Sequence, residues 1–125
     1  MISAHICLGG NHPRTESEIV RAVRFISTLG HIDADSQCFR SEAEWSPKGT
    51  PLYLNRLIII STALSGQALL NRTKAYEAAI RRLNPAELVV IDIDIVSIDN
   101  TVLRPRDYDS KHYRRALALL EQARR

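Results

Sequence analysis

Asp92 and Asp94 are the side chains in this sequence whose type and spacing point most directly to chemistry. They sit in Leu88-Val89-Val90-Ile91-Asp92-Ile93-Asp94-Ile95-Val96. That stretch is rich in Val and Ile, too short for a typical helix and closely preceded by a proline, so it predicts a strand over 88–96. Strand side chains alternate faces, which puts the two aspartates on one face and Ile91, Ile93 and Ile95 on the other. Carboxylates about 7 Å apart on so apolar a segment repel each other and are costly to desolvate. A hard, oxygen-preferring cation such as magnesium answers both problems. An exposed face with both aspartates solvated, or paired with arginine, answers them too, because period-two alternation also describes an ordinary half-buried strand.

Other candidates are weaker one by one. Tyr53 and Asn55 share a face of a long apolar strand predicted over 53–63, where an asparagine wants a hydrogen-bond partner. A heterocyclic ligand or a neighbouring backbone group would each serve. Gly9-Gly10-Asn11 reads as a turn that ends the first strand, with two residues able to take positive φ and bring backbone close to a ligand. It is not a P-loop, since no Gly-Lys-Ser/Thr follows. Residues 41–51 are polar and carry Pro47, Gly49, Pro51 and the only tryptophan, Trp45. A connection of that length suits a lid, with Trp45 either stacking on a ligand or folded onto the core. Glu77, one turn before Arg81, reads as half of a surface pair.

The elements that would position these residues follow from patterning. Ile2, Ala4, Ile6 and Leu8 alternate as a strand. Thr15 and Glu18 make a capping box for a helix through Ile19, Val20, Val23, Ile26 and Leu29, with Gly30 placed to stop it. A strand lies within 31–40, with Ile32, Ala34, Ser36 and Cys38 on one face. Ser65 caps a second helix with Leu69, Thr73, Tyr76, Ile80 and Leu83 inward, ended by Asn84-Pro85. After a connection over 97–107, Ser110 caps a last helix with Tyr113, Ala116, Leu117 and Leu120 inward. The order strand, helix, strand, strand, helix, strand, helix predicts an α+β fold of the ferredoxin-like, split βαβ kind. Its four-stranded antiparallel sheet would carry two helices on one face, plus a C-terminal helix. The first strand and the Asp92/Asp94 strand should then be neighbours.

With 125 residues, the chain predicts a single domain over 1–125. No apolar run reaches membrane-spanning length and no basic segment precedes an apolar one at the N-terminus, so a cytoplasmic protein is expected. Cys7 and Cys38 lack metal-ligand spacing and read as buried free thiols. A net charge of +3, with its arginines partly clustered, suits a phosphate-bearing ligand as well as it suits nucleic acid.

Five segments fall in order and at fitting separations: Leu8-Gly9-Gly10-Asn11, Phe39-Arg40-Ser41, Tyr53-Leu54-Asn55, Ala68-Leu69-Leu70-Asn71-Arg72-Thr73 leading to Glu77, and Asp92-Ile93-Asp94-Ile95. Together they resemble the 6-hydroxymethyl-7,8-dihydropterin pyrophosphokinase family of folate biosynthesis. The resemblance implies an enzyme that moves pyrophosphate from ATP to the pterin hydroxymethyl group, with magnesium held by Asp92 and Asp94. It implies pterin contacts from Tyr53 and Asn55 and from the backbone around Ser41 and Glu42, with Gly9 and Gly10 beside the substrate. Glu77 and Tyr108 fall near the nucleotide, and Arg81, Arg82, Lys111 and Arg114 are the cations available to the phosphates. The partners implied are ATP and a pterin, with neither nucleic acid nor membrane.

The departures are specific. The family's Arg-rich loop ends in Trp-Gly-Pro-Arg, whereas this chain has the shorter Arg81-Arg82-Leu83-Asn84-Pro85-Ala86-Glu87. Asp107 stands at the position of the family's His, Tyr108 and Lys111 fit, and Arg114 is one residue out of step. The chain stops short of the family's usual C-terminal part, so the resemblance is to a shortened, divergent member. Two rival readings follow. One is a paralogue that binds nucleotide or pterin without turnover. The other is a ferredoxin-like interaction or RNA-binding module, which would need exposed aromatics on the sheet face and a basic stripe.

Overall fold

The computed structural model describes residues 1–41, 53–83 and 88–123. The expected lid over 41–51 with Trp45, the pterin contact at Glu42 and the helix end at Asn84-Pro85 lie outside the described residues, Ser41 excepted. The elements are β1 (Ile2–Gly10), α1 (Thr15–Ser27), β2 (His31–Asp35), β3 (Phe39–Ser41), β4 (Tyr53–Thr62), α2 (Gly66–Leu83), β5 (Asp92–Ile98), β6 (Thr101–Val102), α3 (Pro105–Tyr108) and α4 (Lys111–Ala123).

The fold is mixed α+β, built on an open antiparallel sheet. It has six strands rather than the four expected, in the order β2-β4-β1-β5-β6 with β3 also on β4. The strand expected within 31–40 is broken in two. Gln37 takes a left-handed φ of 61°, its N–H bonded to Asp35 Oδ1 at 2.8 Å, and this interrupts pairing between β2 and β3. The last extra strand comes from the 97–107 connection, where Thr101 and Val102 fold back on Ile98 and Ser97. β1 and β5 are neighbours, as expected, pairing Gly9 with Asp92 and Cys7 with Asp94.

The sheet is covered on both faces. Ala4, Ile6 and Leu8 of β1, Ile58 and Ile60 of β4, and Ile93 and Ile95 of β5 pack against Ile19, Ala22 and Ile26 of α1 and Leu69 of α2. The opposite face packs Leu57 and Val96 against Tyr113, Ala116 and Leu120 of α4. There, the Tyr113 hydroxyl meets His5 Nδ1 at 2.8 Å. No described helix is long and apolar enough to cross a membrane.

Several local expectations change. β5 begins at Asp92, not Leu88, because the preceding backbone bonds elsewhere. Asn11 N–H donates to Val89 O at 2.8 Å, Val89 N–H donates to Asn11 Oδ1 at 2.7 Å, and the Thr15 hydroxyl donates to Val90 O at 2.8 Å. That use of Thr15 removes the expected capping box. Its hydroxyl also accepts from His12 N–H at 3.0 Å, while Glu18 pairs with Arg21 at 3.2 Å.

Gly9 and Gly10 do not form a turn; both belong to β1. A Cβ on Gly9 would stand 2.5 Å from Tyr53 Cε1, and one on Gly10 would stand 2.7 Å from Val89 O, so close approach is what excludes a side chain there. On α1, Val20 is exposed; at the end of α2, so is Leu83. Cys38 is exposed rather than buried. Ser65 and Ser110 do cap α2 and α4, accepting from Ala68 N–H at 3.1 Å and Tyr113 N–H at 3.2 Å.

Candidate active site

Asp92 and Asp94 open β5 and line a cavity of about 200 Å³ together with Gly9, Tyr53, Asn55 and Arg104. Their side chains are 31% and 23% exposed, so the carboxylates face the cavity yet stay partly shielded. Ile93 and Ile95 point into the core, which is what fixes the aspartates on the outer face.

The pair is held by a tyrosine hydroxyl and by basic side chains. Asp92 Oδ2 accepts from the Tyr53 hydroxyl at 2.5 Å, and Asp92 Oδ1 from Arg81 Nη2. Asp94 Oδ1 accepts from Lys74 Nζ at 3.0 Å and lies 3.6 Å from Arg104 Nη1, which comes from the residue preceding α3. Arg104 in turn bonds Asp107, which raises the guanidinium pKa further. Glu77 is not the surface partner of Arg81. It is 9% exposed and its Oε2 accepts from Ile93 N–H, while Arg81 reaches Asp92 and Ile91 O.

Burial, and then the Asp92 carboxylate, push the Tyr53 phenol well above its ordinary pKa, so Tyr53 stays a donor. Burial, and then Asp107 and Asp94, push the Cys7 thiol up to about 12, so Cys7 is a neutral wall of the cavity. Asn55 is buried and turns Nδ2 to Ser41 Oγ at 2.6 Å and to Tyr53 O at 3.2 Å. Ser41 therefore joins the site through Asn55. Gly10 lies apart, lining a second cavity of about 220 Å³ with Asn11, His12 and Arg40.

Some expected residues are not brought here. Arg82 is exposed at the end of α2, and Lys111 is exposed on the first turn of α4. Arg114 pairs with Asp109 at 3.4 Å and lies 5.7 Å over the Tyr108 ring, itself exposed. Neither cavity is lined by any of these four. Two residues that matter escaped the sequence reading: Lys74 and Arg104. Each stands three residues before an acid (Glu77, Asp107), a spacing that suggests a local pair and gives no sign of the reach to Asp94.

A family model for 7,8-dihydro-6-hydroxymethylpterin-pyrophosphokinase matches residues 5–122, nearly the whole chain. The chain belongs to that pyrophosphokinase family. No curated protein matches it.

Enzymes of this family are generally magnesium-dependent users of ATP, and the donor set here would fit such an ion. Magnesium takes one or two carboxylates and completes its shell with phosphate and water. Asp92 and Asp94 supply two partly exposed carboxylates on one cavity wall. Among the described residues no group of three or more His, Cys, Asp or Glu is suited to a metal, so Asp92 and Asp94 are the residues that would hold the ion.

Proposed function

We propose that this chain transfers the pyrophosphoryl group of ATP to the hydroxymethyl oxygen of 6-hydroxymethyl-7,8-dihydropterin in folate biosynthesis. Residues 1–125 act as one domain. The pterin oxygen bonds to the β-phosphorus, the bond from that phosphorus to the oxygen bridging the α-phosphorus breaks, AMP leaves, and the hydroxyl proton passes to solvent. The observation that carries this reading is the convergence of Asp92, Asp94, Tyr53 and Asn55 on one cavity, in a chain of this family.

Pyrophosphoryl transfer depends on positioning and on charge neutralisation at the phosphates. Bound magnesium would neutralise phosphate charge beside Asp92 and Asp94. Arg81 and Arg104 are the cations within reach, and they take the place of the family's missing Gly-Pro-Arg arginine. Tyr53 and Asn55 frame the acceptor ring, and the absent side chain at Gly9 is what lets the Tyr53 ring lie against β1. The fold is read as a ferredoxin-like plan with two added strands, a reading supported by the order β2-β4-β1-β5, with β3 beside β2 on β4 and β6 at the other edge.

One observation favours a binding paralogue without turnover: Arg81 and Lys74 already hold the carboxylates that a metal would use. AMP release from magnesium-ATP, measured with and without the pterin, separates the two. Pterin-dependent AMP that falls about 10²–10³-fold in Asp92→Asn establishes the transferase. A folded chain that binds both substrates and releases no AMP establishes the paralogue.

A further inference from the structure

We propose that Lys74 and Glu77 of α2 form a positioning pair that takes the place of a neighbouring strand beside Ile93 and so sets the spacing of Asp92 and Asp94. The inference rests on the reading of those aspartates as metal carboxylates. β5 is paired by β1 on one side along Asp92–Asp94, but on the other side β6 reaches only Ser97 and Ile98. The peptide groups of Ile93, the residue between the aspartates, are met instead by side chains. Ile93 N–H donates to Glu77 Oε2, and Ile93 O accepts from Lys74 Nζ at 2.6 Å.

Lys74 Nζ and Glu77 Oε2 are themselves 3.4 Å apart, so an acceptor and a donor stand side by side as the C=O and N–H of a strand residue would. Buried backbone groups need partners, and both of these come from one turn of one helix. The same ammonium reaches Asp94 Oδ1 at 3.0 Å. Lys74 thereby ties the backbone between the carboxylates to one of the carboxylates. A charged pair is suited to this place because the donor also screens the carboxylates, which a backbone N–H would do only weakly.

Neither residue needs to touch substrate for this. Groups that orient metal-binding carboxylates typically change metal affinity by about 10–100-fold when removed. The role predicts two coupled effects. Loss of the Glu77 acceptor should free the Ile93 amide, and loss of the Lys74 ammonium should weaken magnesium-nucleotide binding without unfolding the chain.

The test uses the whole chain, with amide hydrogen exchange at Ile93 read by NMR and the affinity for magnesium with a non-hydrolysable ATP analogue read by titration. Glu77→Ala should speed Ile93 exchange about 100-fold or more, while Asp94, whose amide faces β1 at Cys7, keeps its protection. Glu77→Gln, which retains an acceptor, should keep Ile93 within a few-fold of wild type and gives the answer if the alanine variant fails to fold. Lys74→Met should weaken the magnesium-nucleotide complex about tenfold, and Lys74→Arg should restore most of it. Unchanged Ile93 exchange in Glu77→Ala, or unchanged affinity in Lys74→Met, would overturn the proposal. A wild-type chain that binds no magnesium-nucleotide, yet loses Ile93 protection in Glu77→Ala, would remove the functional reading and leave the clasp standing.

Discussion

The Tyr53 hydroxyl donates to Asp92 Oδ2 at 2.5 Å, across the gap between β4 and β5 that Gly9 of β1 leaves open. A residue expected to face the acceptor ring is therefore also tied to a carboxylate proposed to hold magnesium. Tyr53→Phe should leave the fold intact, cost about 1–2 kcal/mol in denaturant unfolding and weaken magnesium-nucleotide binding about tenfold. An unchanged affinity would show that Asp92 is held by Arg81 alone.

Gly9→Ala and Gly10→Ala should differ. The first meets a ring edge 2.5 Å away that can swing aside, so its main effect should be on the Tyr53–Asp92 bond and hence on activity. The second meets Val89 O at 2.7 Å and Thr15 Oγ1 at 2.6 Å, and the carbonyl cannot retreat without moving the segment before β5. Gly10→Ala should be the more destabilising, by about 2–3 kcal/mol in urea unfolding.

Cys7 and Cys38 should be separable by alkylation. With the Cys7 thiol pushed up to about 12 from 9.0, its thiolate fraction at pH 8 is about 10³-fold below that of an ordinary cysteine. Iodoacetamide should modify exposed Cys38 and leave Cys7 intact, with Cys7 reactivity rising about tenfold per pH unit above that. The sign for stability follows from linkage. The unfolded thiol ionises first, so this contribution is fully present below pH 9 and is lost as pH rises towards 12. Cys7→Ala should flatten that part of the alkaline unfolding curve, as read by Tm between pH 8 and 11.

Arg56 grips Asp35 bidentately, with Nε to Oδ1 at 2.9 Å and Nη2 to Oδ2 at 2.5 Å, and both side chains are mostly buried. The pair ties β4 to the end of β2, next to the left-handed Gln37. Arg56→Lys keeps the charge and loses the fork, so it should cost about 1–2 kcal/mol in denaturant unfolding. No change would show that the edge strand is held by its ladder alone.

What was legible in the sequence divides by the kind of partner each residue has. Asp92 and Asp94 were visible as a pair because alternation requires only residue identities, and Ile93 and Ile95 supplied the buried face. The neighbourhood of β1 and β5 followed from element order alone. Glu77 was misread because glutamate on a helix suggests water and an arginine one turn on, whereas its partner is a backbone N–H that has no sequence signature. The start of β5 was misread for the same reason: Val89 and Val90 have strand-forming side chains, but Asn11 and Thr15 hold their peptide groups. Lys74 and Arg104 were hidden because a long basic side chain can reach several acids, and only the packed helices decide which one it meets.

The stitch between Asn11 and Val89 has a consequence for how such a chain can change. Asn11 binds Val89 through both its backbone and its side-chain amide, three residues ahead of Asp92. The register of the aspartate strand is thus set by a fastening point downstream of the connection that leaves α2. Residues can be added to or removed from that connection without sliding the carboxylates along the sheet. A lineage can trim or rewrite that connection, as the short 81–87 stretch illustrates, while the carboxylate end of the site keeps its geometry.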